Sequence, residues 1–242
     1  MEAIETKSLT KQYGNLTAVD SLDLQISQGE LFSLLGVNGA GKTTTIKMLT
    51  CLTRPTGGDA WVNGFSITTQ AEQVKQLIGV SPQETAVAPN LSVQENLELI
   101  CGIHGFSKEK THTKIRELTA QFSLDPVLKR KAGKLSGGWQ RRVSIAMALI
   151  CEPRILFLDE PTLGLDVLAR HELWTVIRNL KGNVTIILTT HYMEEAQALS
   201  DRIGIMAAGQ LLAVGTVEEL NEKAGTDDFE TAFVSLVKEA SV

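Results

Sequence analysis

Two kinds of apolar pattern divide the chain. Leu22, Leu24 and Ile26 alternate with Asp23 and Gln25, the period of two that marks a half-buried strand. Trp61–Val62 ahead of Asn63–Gly64 predicts another strand ending in a turn. Leu31–Leu35, Ile155–Leu158 and Val184–Leu188 differ in carrying apolar residues on both faces, as buried parallel strands do. Each leads into a short polar turn and a helical stretch, which predicts an α/β core. Ile203–Met206 and Leu211–Val214, on either side of Ala208–Gly209, predict a late hairpin.

From about Leu91 to Ile150 the pattern is helical. Ser92 with Glu95 spells a capping box, Ser107 a helix start, and Asp125–Pro126 an N-cap followed by proline at the first helical position. With no strand signal there, the stretch reads as a helical subdomain inserted into the core. A last helix is expected near Asp227, with Glu230 as its capping partner and Phe229, Ala232, Phe233, Leu236 and Val237 on one face. Trp174, on a helix with Leu173, Ile177 and Leu180, reads as packing, and His104, His112 and His171 as surface or core residues.

Charge and composition narrow the classes. The 242 residues carry 23 Lys+Arg and 28 Asp+Glu, a net charge of −5 that argues against a nucleic-acid or anionic-membrane binder. At 43% hydrophobic the chain can bury a large core in a single domain. No apolar run approaches the ~20 residues that span a bilayer. The opening MEAIETKSLT lacks a signal pattern, so a soluble chain that stays where it is made is expected. Cys51, Cys101 and Cys151 are odd in number and widely spaced, which predicts reduced thiols. Cys101 and His104 lack the further ligands a metal site needs.

Gly36-Val37-Asn38-Gly39-Ala40-Gly41-Lys42-Thr43, continued by Thr44, fits G-x-x-x-x-G-K-[ST] between a buried strand and a helical stretch at Thr43–Leu49. Small residues let backbone amides wrap a phosphate chain as an anion nest. Lys42 supplies a point charge for the outer phosphates, and the Thr43 hydroxyl suits Mg²⁺. Asp159 and Glu160 end the Ile155–Leu158 strand, at the crevice side of an open sheet. Asp159 can hold Mg²⁺ through water. Glu160, expected to point the other way along the pleat, can polarise an attacking water. Leu135-Ser136-Gly137-Gly138 precedes a helix expected at Arg141–Ile150; Ser136 as N-cap and two glycines would bare the first amides, an anion site.

In this order these motifs resemble the ATP-binding cassette of ABC transporters. Smaller marks fit as well. Tyr13 before Gly14 matches the aromatic that stacks on adenine, and Gln83 in Ser81-Pro82-Gln83 the glutamine that reaches the metal and the attacking water. Asp166 in Leu163-Gly164-Leu165-Asp166 matches the loop facing the opposite subunit, and His191 the histidine on the γ-phosphate. The resemblance implies a P-loop NTPase core with a mixed, mainly parallel sheet, an N-terminal antiparallel β subdomain and an inserted α-helical subdomain. It spans 1–242 as one nucleotide-binding domain, with the helical subdomain at roughly 85–150 and a tail helix at roughly 226–242. It also implies a Mg²⁺-dependent ATPase that sandwiches two ATPs in a head-to-tail dimer, each between one subunit's phosphate loop and its partner's Ser136–Gly138. One departure stands out: the signature's fifth position, usually glutamine, is Trp139.

The resemblance further implies a separate membrane subunit as partner, a place on the cytoplasmic face of the membrane, and no nucleic acid. The tail Asp227-Asp-Phe-Glu-Thr-Ala-Phe233 resembles the drug- and polysaccharide-exporter (ABC-2 type) branch. A cassette acting on ribosomes or on another non-transport partner is the alternative. Thr85-Ala-Val-Ala-Pro89, small and uncharged, reads as a seat for a helix of the membrane partner.

Overall fold

The structure, a computed structural model, describes residues 2–239. The chain opens with β1 (Glu2–Tyr13) and β2 (Leu16–Ser27), then β3 (Leu31–Leu35), α1 (Lys42–Leu49), β4 (Gly57–Val62), β5 (Phe65–Ser66), α2 (Ala71–Leu77) and β6 (Ile78–Ser81). Helices follow: α3 (Val93–Ile103), α4 (Lys108–Gln121) and α5 (Gly137–Leu149). The core then resumes with β7 (Ile155–Asp159), α6 (Val167–Arg178), β8 (Thr185–Thr190), α7 (Met193–Leu199), β9 (Arg202–Ala207) and β10 (Gln210–Gly215). It ends on α8 (Val217–Ala224) and α9 (Phe229–Glu239).

Among the described residues the strands form two sheets. The first is antiparallel, in the order β2-β1-β4-β5. The second runs β10-β9-β3-β8-β7-β6, parallel throughout except for the β9–β10 hairpin. Its central strands bury both faces, each packed on a different layer. Leu31, Leu156, Leu158, Ile186 and Leu188 face the helices α3 to α6. Phe32, Leu34, Ile155, Phe157 and Ile187 face the antiparallel sheet and α1, against Ile4, Leu22, Ile26 and Ile46. This two-sided burial is why these strands lack alternation while β2 keeps it.

The helical insertion leaves the sheet after β6 and returns at β7. The capping box at α3 forms as expected: Ser92 Oγ accepts from the Glu95 amide at 3.2 Å, and Glu95 Oε2 accepts from the Ser92 amide at 2.7 Å. Ser107 caps α4 through the Lys110 amide. Buried Asn96 pins the preceding loop, accepting from the Ala88 amide at 2.7 Å and donating to its carbonyl at 3.2 Å. Val87 is half-buried against the helical core.

Several local expectations shift. Asp125 does not cap an α-helix. It lies inside a 3-10 turn, Asp125–Val127, with Leu124 before it and Pro126 in that first turn, and the chain leaves the turn at Leu128 without extending it into an α-helix. The signature helix begins at Gly137 rather than Arg141, its glycines being held helical by their place at the first turn. At the last helix Asp228, not Asp227, accepts from the Thr231 amide and hydroxyl, at 2.8 and 2.7 Å, so Glu230 is not the partner. Phe229, Ala232, Phe233 and Leu236 are buried there, with Val237 packed beside them. Leu180 packs in the same cluster as Trp174 but lies beyond the end of α6.

β6 and α5 approach closely through Gly79. A Cβ there would stand 2.2 Å from the Ala148 carbonyl oxygen and 3.0 Å from Pro153 Cγ, backbone and ring atoms that cannot yield. Gly79→Ala is therefore expected to destabilise the fold by about 1–3 kcal/mol through overpacking, read as a lowered urea midpoint at unchanged slope.

Candidate functional site

The sheet register assembles the site. β3 pairs with β8 so that Leu35 lies opposite Thr190, and β7 pairs with β8 so that Asp159 lies opposite Thr189. The C-terminal ends of three parallel strands thus meet at one edge, where Gly36, Glu160 and His191 leave the sheet. Gly41, the residue before α1, has φ of 105°, and a Cβ there would stand 2.5 Å from the Ala18 carbonyl oxygen. Only glycine lets the loop close onto β2 and present its amides inward.

Lys42 is 4% exposed and folds back over the loop. Its Nζ donates to the Gly36 carbonyl at 2.7 Å and the Val37 carbonyl at 3.2 Å, and lies 3.5 Å from Glu160 Oε1. Burial pulls the lysine pKa down, opposed by the charges of Glu160 and Asp159. Thr43 Oγ1 donates to Asp159 Oδ1 at 3.1 Å. Glu160 Oε2 meets His191 Nδ1 at 3.0 Å, and the imidazole stacks obliquely on Tyr192 with ring centroids 4.1 Å apart.

Asp159 and Glu160 do not point apart, as pleat alternation predicts. Glu160 has left the strand: its φ is 47°, in the left-handed region. That turn swings its carboxylate to the side Asp159 already faces, and both are buried, at 8% and 5% exposed. Thr189 holds the turn. Its hydroxyl donates to Asp159 Oδ1 at 2.5 Å and accepts from the Glu160 amide at 3.0 Å. No local motif in the sequence marks Thr189, because its partners are set by strand register.

A cleft of about 740 Å³ opens over these groups. Asn38, Gly39, Ala40, Gly41, Lys42, Thr43 and Thr44 form its floor, with Gln83, Glu160 and His191 to the side. Tyr13 stands at the mouth, 48% exposed, with Lys11 Nζ 4.9 Å from its ring centroid. Leu163 of the Leu163–Asp166 motif and Ala208 of the hairpin turn complete the wall with Leu16, Thr17 and Ala18, which the fold brings there without any sequence motif. Val37, 51% exposed, lies outside the lining.

Ser136, Gly137, Gly138 and Asp166 also lie outside this cleft. Ser136 has the N-cap conformation, yet its hydroxyl makes no capping bond, so the first amides of α5 carry no side-chain cap. Asp166 caps α6, accepting from the Ala169 amide at 2.9 Å. Trp139 packs half-buried on the helical core, with the Arg142 guanidinium 4.8 Å from its ring centroid. The arrangement can therefore bind a polyanion at Gly36–Thr44 and polarise a water beside it at Glu160. Hydroxyl and carboxylate oxygens of Thr43 and Asp159 converge next to that anion site, a donor set that fits Mg²⁺.

The sequence profile of the family described as ABC transporter matches residues 19–163. The chain is 40% identical over 226 residues to the daunorubicin/doxorubicin resistance ATP-binding protein DrrA of Streptomyces peucetius, covering 93% of this chain and 68% of that one. It is 38% identical over 240 residues to the probable multidrug ABC transporter ATP-binding protein YbhF of Escherichia coli, covering 97% and 41%. A solved ATP-binding subunit of an ABC transporter superposes with a TM-score of 0.85 at 28% identity, over 97% of this chain and 99% of that one. A dimeric cassette in a post-hydrolysis state with ADP and Pi superposes at 0.79 and 26%, over 88% and 98%.

Thr189→Val keeps the shape and removes the hydroxyl. With the Glu160 amide losing a partner, stability is expected to fall by about 1–3 kcal/mol, measured by chemical denaturation. Turnover should fall with it in a phosphate-release assay, because Asp159 loses its hydroxyl donor and the Glu160 amide keeps only the Thr189 carbonyl, at 3.1 Å.

Proposed function

The chain belongs to the ABC transporter family of ATP-binding cassettes, and from that premise we propose which of its residues carry the ATPase reaction. As a member it binds ATP with Mg²⁺, hydrolyses it to ADP and phosphate, pairs with a second cassette and powers a transporter's membrane subunit. The observation that carries the residue assignment is the meeting of Lys42, Thr43, Asp159, Glu160 and His191 at one strand edge.

The amides of Gly36–Thr44 hold the phosphate chain, and Lys42 exchanges its carbonyl partners for the β- and γ-phosphate oxygens. Thr43, Asp159 and Gln83 would hold Mg²⁺, which when bound neutralises charge on those phosphates. Glu160 orients a water and accepts its proton. His191, one ring nitrogen on Glu160, has the other left for the γ-phosphate. Tyr13 offers its open ring face to adenine. Ser136, Gly137 and Gly138, absent from their own cleft, serve the ATP of the opposite subunit, with Asp166 at the same contact. The helical subdomain of roughly 85–150 is the part that turns relative to the core.

Export is the direction supported by the relatives named for drug resistance, over a ribosome-acting role. No helix among the described residues is long and apolar enough to cross a membrane. As the ATP-binding subunit of such an exporter, the chain works peripherally on the cytoplasmic face, held by its membrane partner.

Glu160→Gln should keep ATP affinity, slow hydrolysis by about a hundredfold or more, and accumulate an ATP-bound dimer on size exclusion. Turnover at the wild-type rate would remove Glu160 from its role. Lys42→Ala should lose nucleotide affinity, whereas Ser136→Arg should retain it and lose hydrolysis; equal loss of binding in both contradicts a shared site. At the mouth, Tyr13→Ala should weaken ATP binding about ten- to a hundredfold, with Tyr13→Phe nearly silent, in a nucleotide titration.

A further inference from the structure

Helix α5 is tied along its length to the segment that carries Gln83. Ser144 Oγ and Ser81 Oγ share a hydrogen bond of 2.9 Å inside the core. Arg141 donates Nη1 to the Pro82 carbonyl at 2.5 Å and Nη2 to the Gln83 carbonyl at 2.6 Å. Thr85 Oγ1 donates to Gln140 Oε1 at 3.4 Å, and Gln140 Nε2 turns back to the Leu135 carbonyl at 3.1 Å. Below them Gly79 lies directly under the Ala148 carbonyl.

Arg141 is the unusual member. It is 4% exposed and makes no ion pair among the described residues. Burial lowers its pKa, with the charges of Asp159 and Glu195 acting the other way. A cation taken out of water needs strong partners. Here it receives two consecutive main-chain carbonyls on separate nitrogens of one planar fork. Lysine, whose donors all sit on one nitrogen, does not reproduce this planar two-nitrogen fork, and an apolar side chain of similar length would fill the space and hold neither carbonyl. The bond is to backbone, so it fixes where the Gln83 side chain starts and leaves that side chain free to face the cleft, which it lines.

The same helix ends, one turn away, at Ser136–Gly138. Gln83 looks into the subunit's own ATP cleft, while the helix tip has no part in it. We propose that Arg141 is a positioning residue that locks the Gln83 segment to α5, so that the metal-holding glutamine of one ATP site and the signature tip serving the opposite site move as one body. This rests on the residue roles proposed above. Without the clamp, the state of one ATP site no longer sets the position of the tip that completes the other site.

The test uses the full chain with Arg141→Met, Arg141→Lys and wild type, together with each change in the Glu160→Gln background. Mg·ATP affinity, kcat, ATP-driven dimerisation on size exclusion and amide exchange are measured. Arg141→Met is expected to bind ATP within about threefold of wild type while kcat falls about tenfold or more, a split that general loss of structure does not produce. Its Glu160→Gln form should need about tenfold more ATP to dimerise, and exchange should rise at residues 83–85 but not in α1. Arg141→Lys should recover part of kcat. Unchanged kcat and dimerisation in Arg141→Met, or ATP affinity falling in step with kcat, would overturn the proposal. If Arg141→Met does not fold, the same split in Arg141→Lys decides. A wild-type chain that neither hydrolyses ATP nor dimerises as Glu160→Gln would instead remove the functional reading on which the proposal stands.

Discussion

The parallel register of β3, β8 and β7 is the constraint from which the site follows. It sets Leu35 opposite Thr190 and Asp159 opposite Thr189, so three chain segments leave the sheet at one level. A slip of one residue would turn every side chain of a strand to the other face. In these strands that would exchange two apolar layers, Leu156 and Leu158 against the helices and Phe157 against the antiparallel sheet. Packing on both sides therefore fixes the geometry of the site: the core holds register, and register places the carboxylates beside the loop.

The strand ends then concentrate charge among side chains that are almost fully buried. Lys42, Asp159 and Glu160 are all nearly enclosed, and each has its partners within the site. The lysine leans on two loop carbonyls and Glu160; Asp159 is held by Thr43 and Thr189; Glu160 is held by His191 and by its amide on Thr189. Groups paired this closely need little reorganisation when a phosphate chain replaces some of the partners, and preorganised dipoles are what stabilise charge in phosphoryl transfer. The left-handed turn at Glu160 is part of this arrangement, since two adjacent residues in regular strand would face opposite sides.

Away from that edge, α5 joins the Gln83 segment of the cleft to the Ser136–Gly138 tip. Its buried side is bonded to residues 81–85, and its exposed tip carries amides with no side-chain cap. A helix is stiff over a few turns, so what moves one end moves the other. Trp139 lies on this helix and packs inward against the helical core, with Arg142 over its ring, which accounts for a bulky aromatic near the tip.

Much of this was legible in the chain itself, where the physics is local. The phosphate loop between a buried run and a helix, the Ser92–Glu95 capping box, the adjacent acids at a strand end and the hairpin about Ala208–Gly209 depend on neighbours a few residues apart. Spacing and residue type are enough for these. Boundaries held less well where one residue decides: Asp228 rather than Asp227 caps the last helix because the cap is whichever carboxylate meets the Thr231 amide. What only the tertiary structure decided are the contacts made across sequence distance. Thr189 bridging Asp159 and Glu160, the Arg141 fork on the carbonyls of Pro82 and Gln83, and the Leu16, Thr17 and Ala18 wall of the cleft have no local signature. Strand register and helix packing choose those partners, and both are settled by the burial of apolar layers that belong to the whole chain.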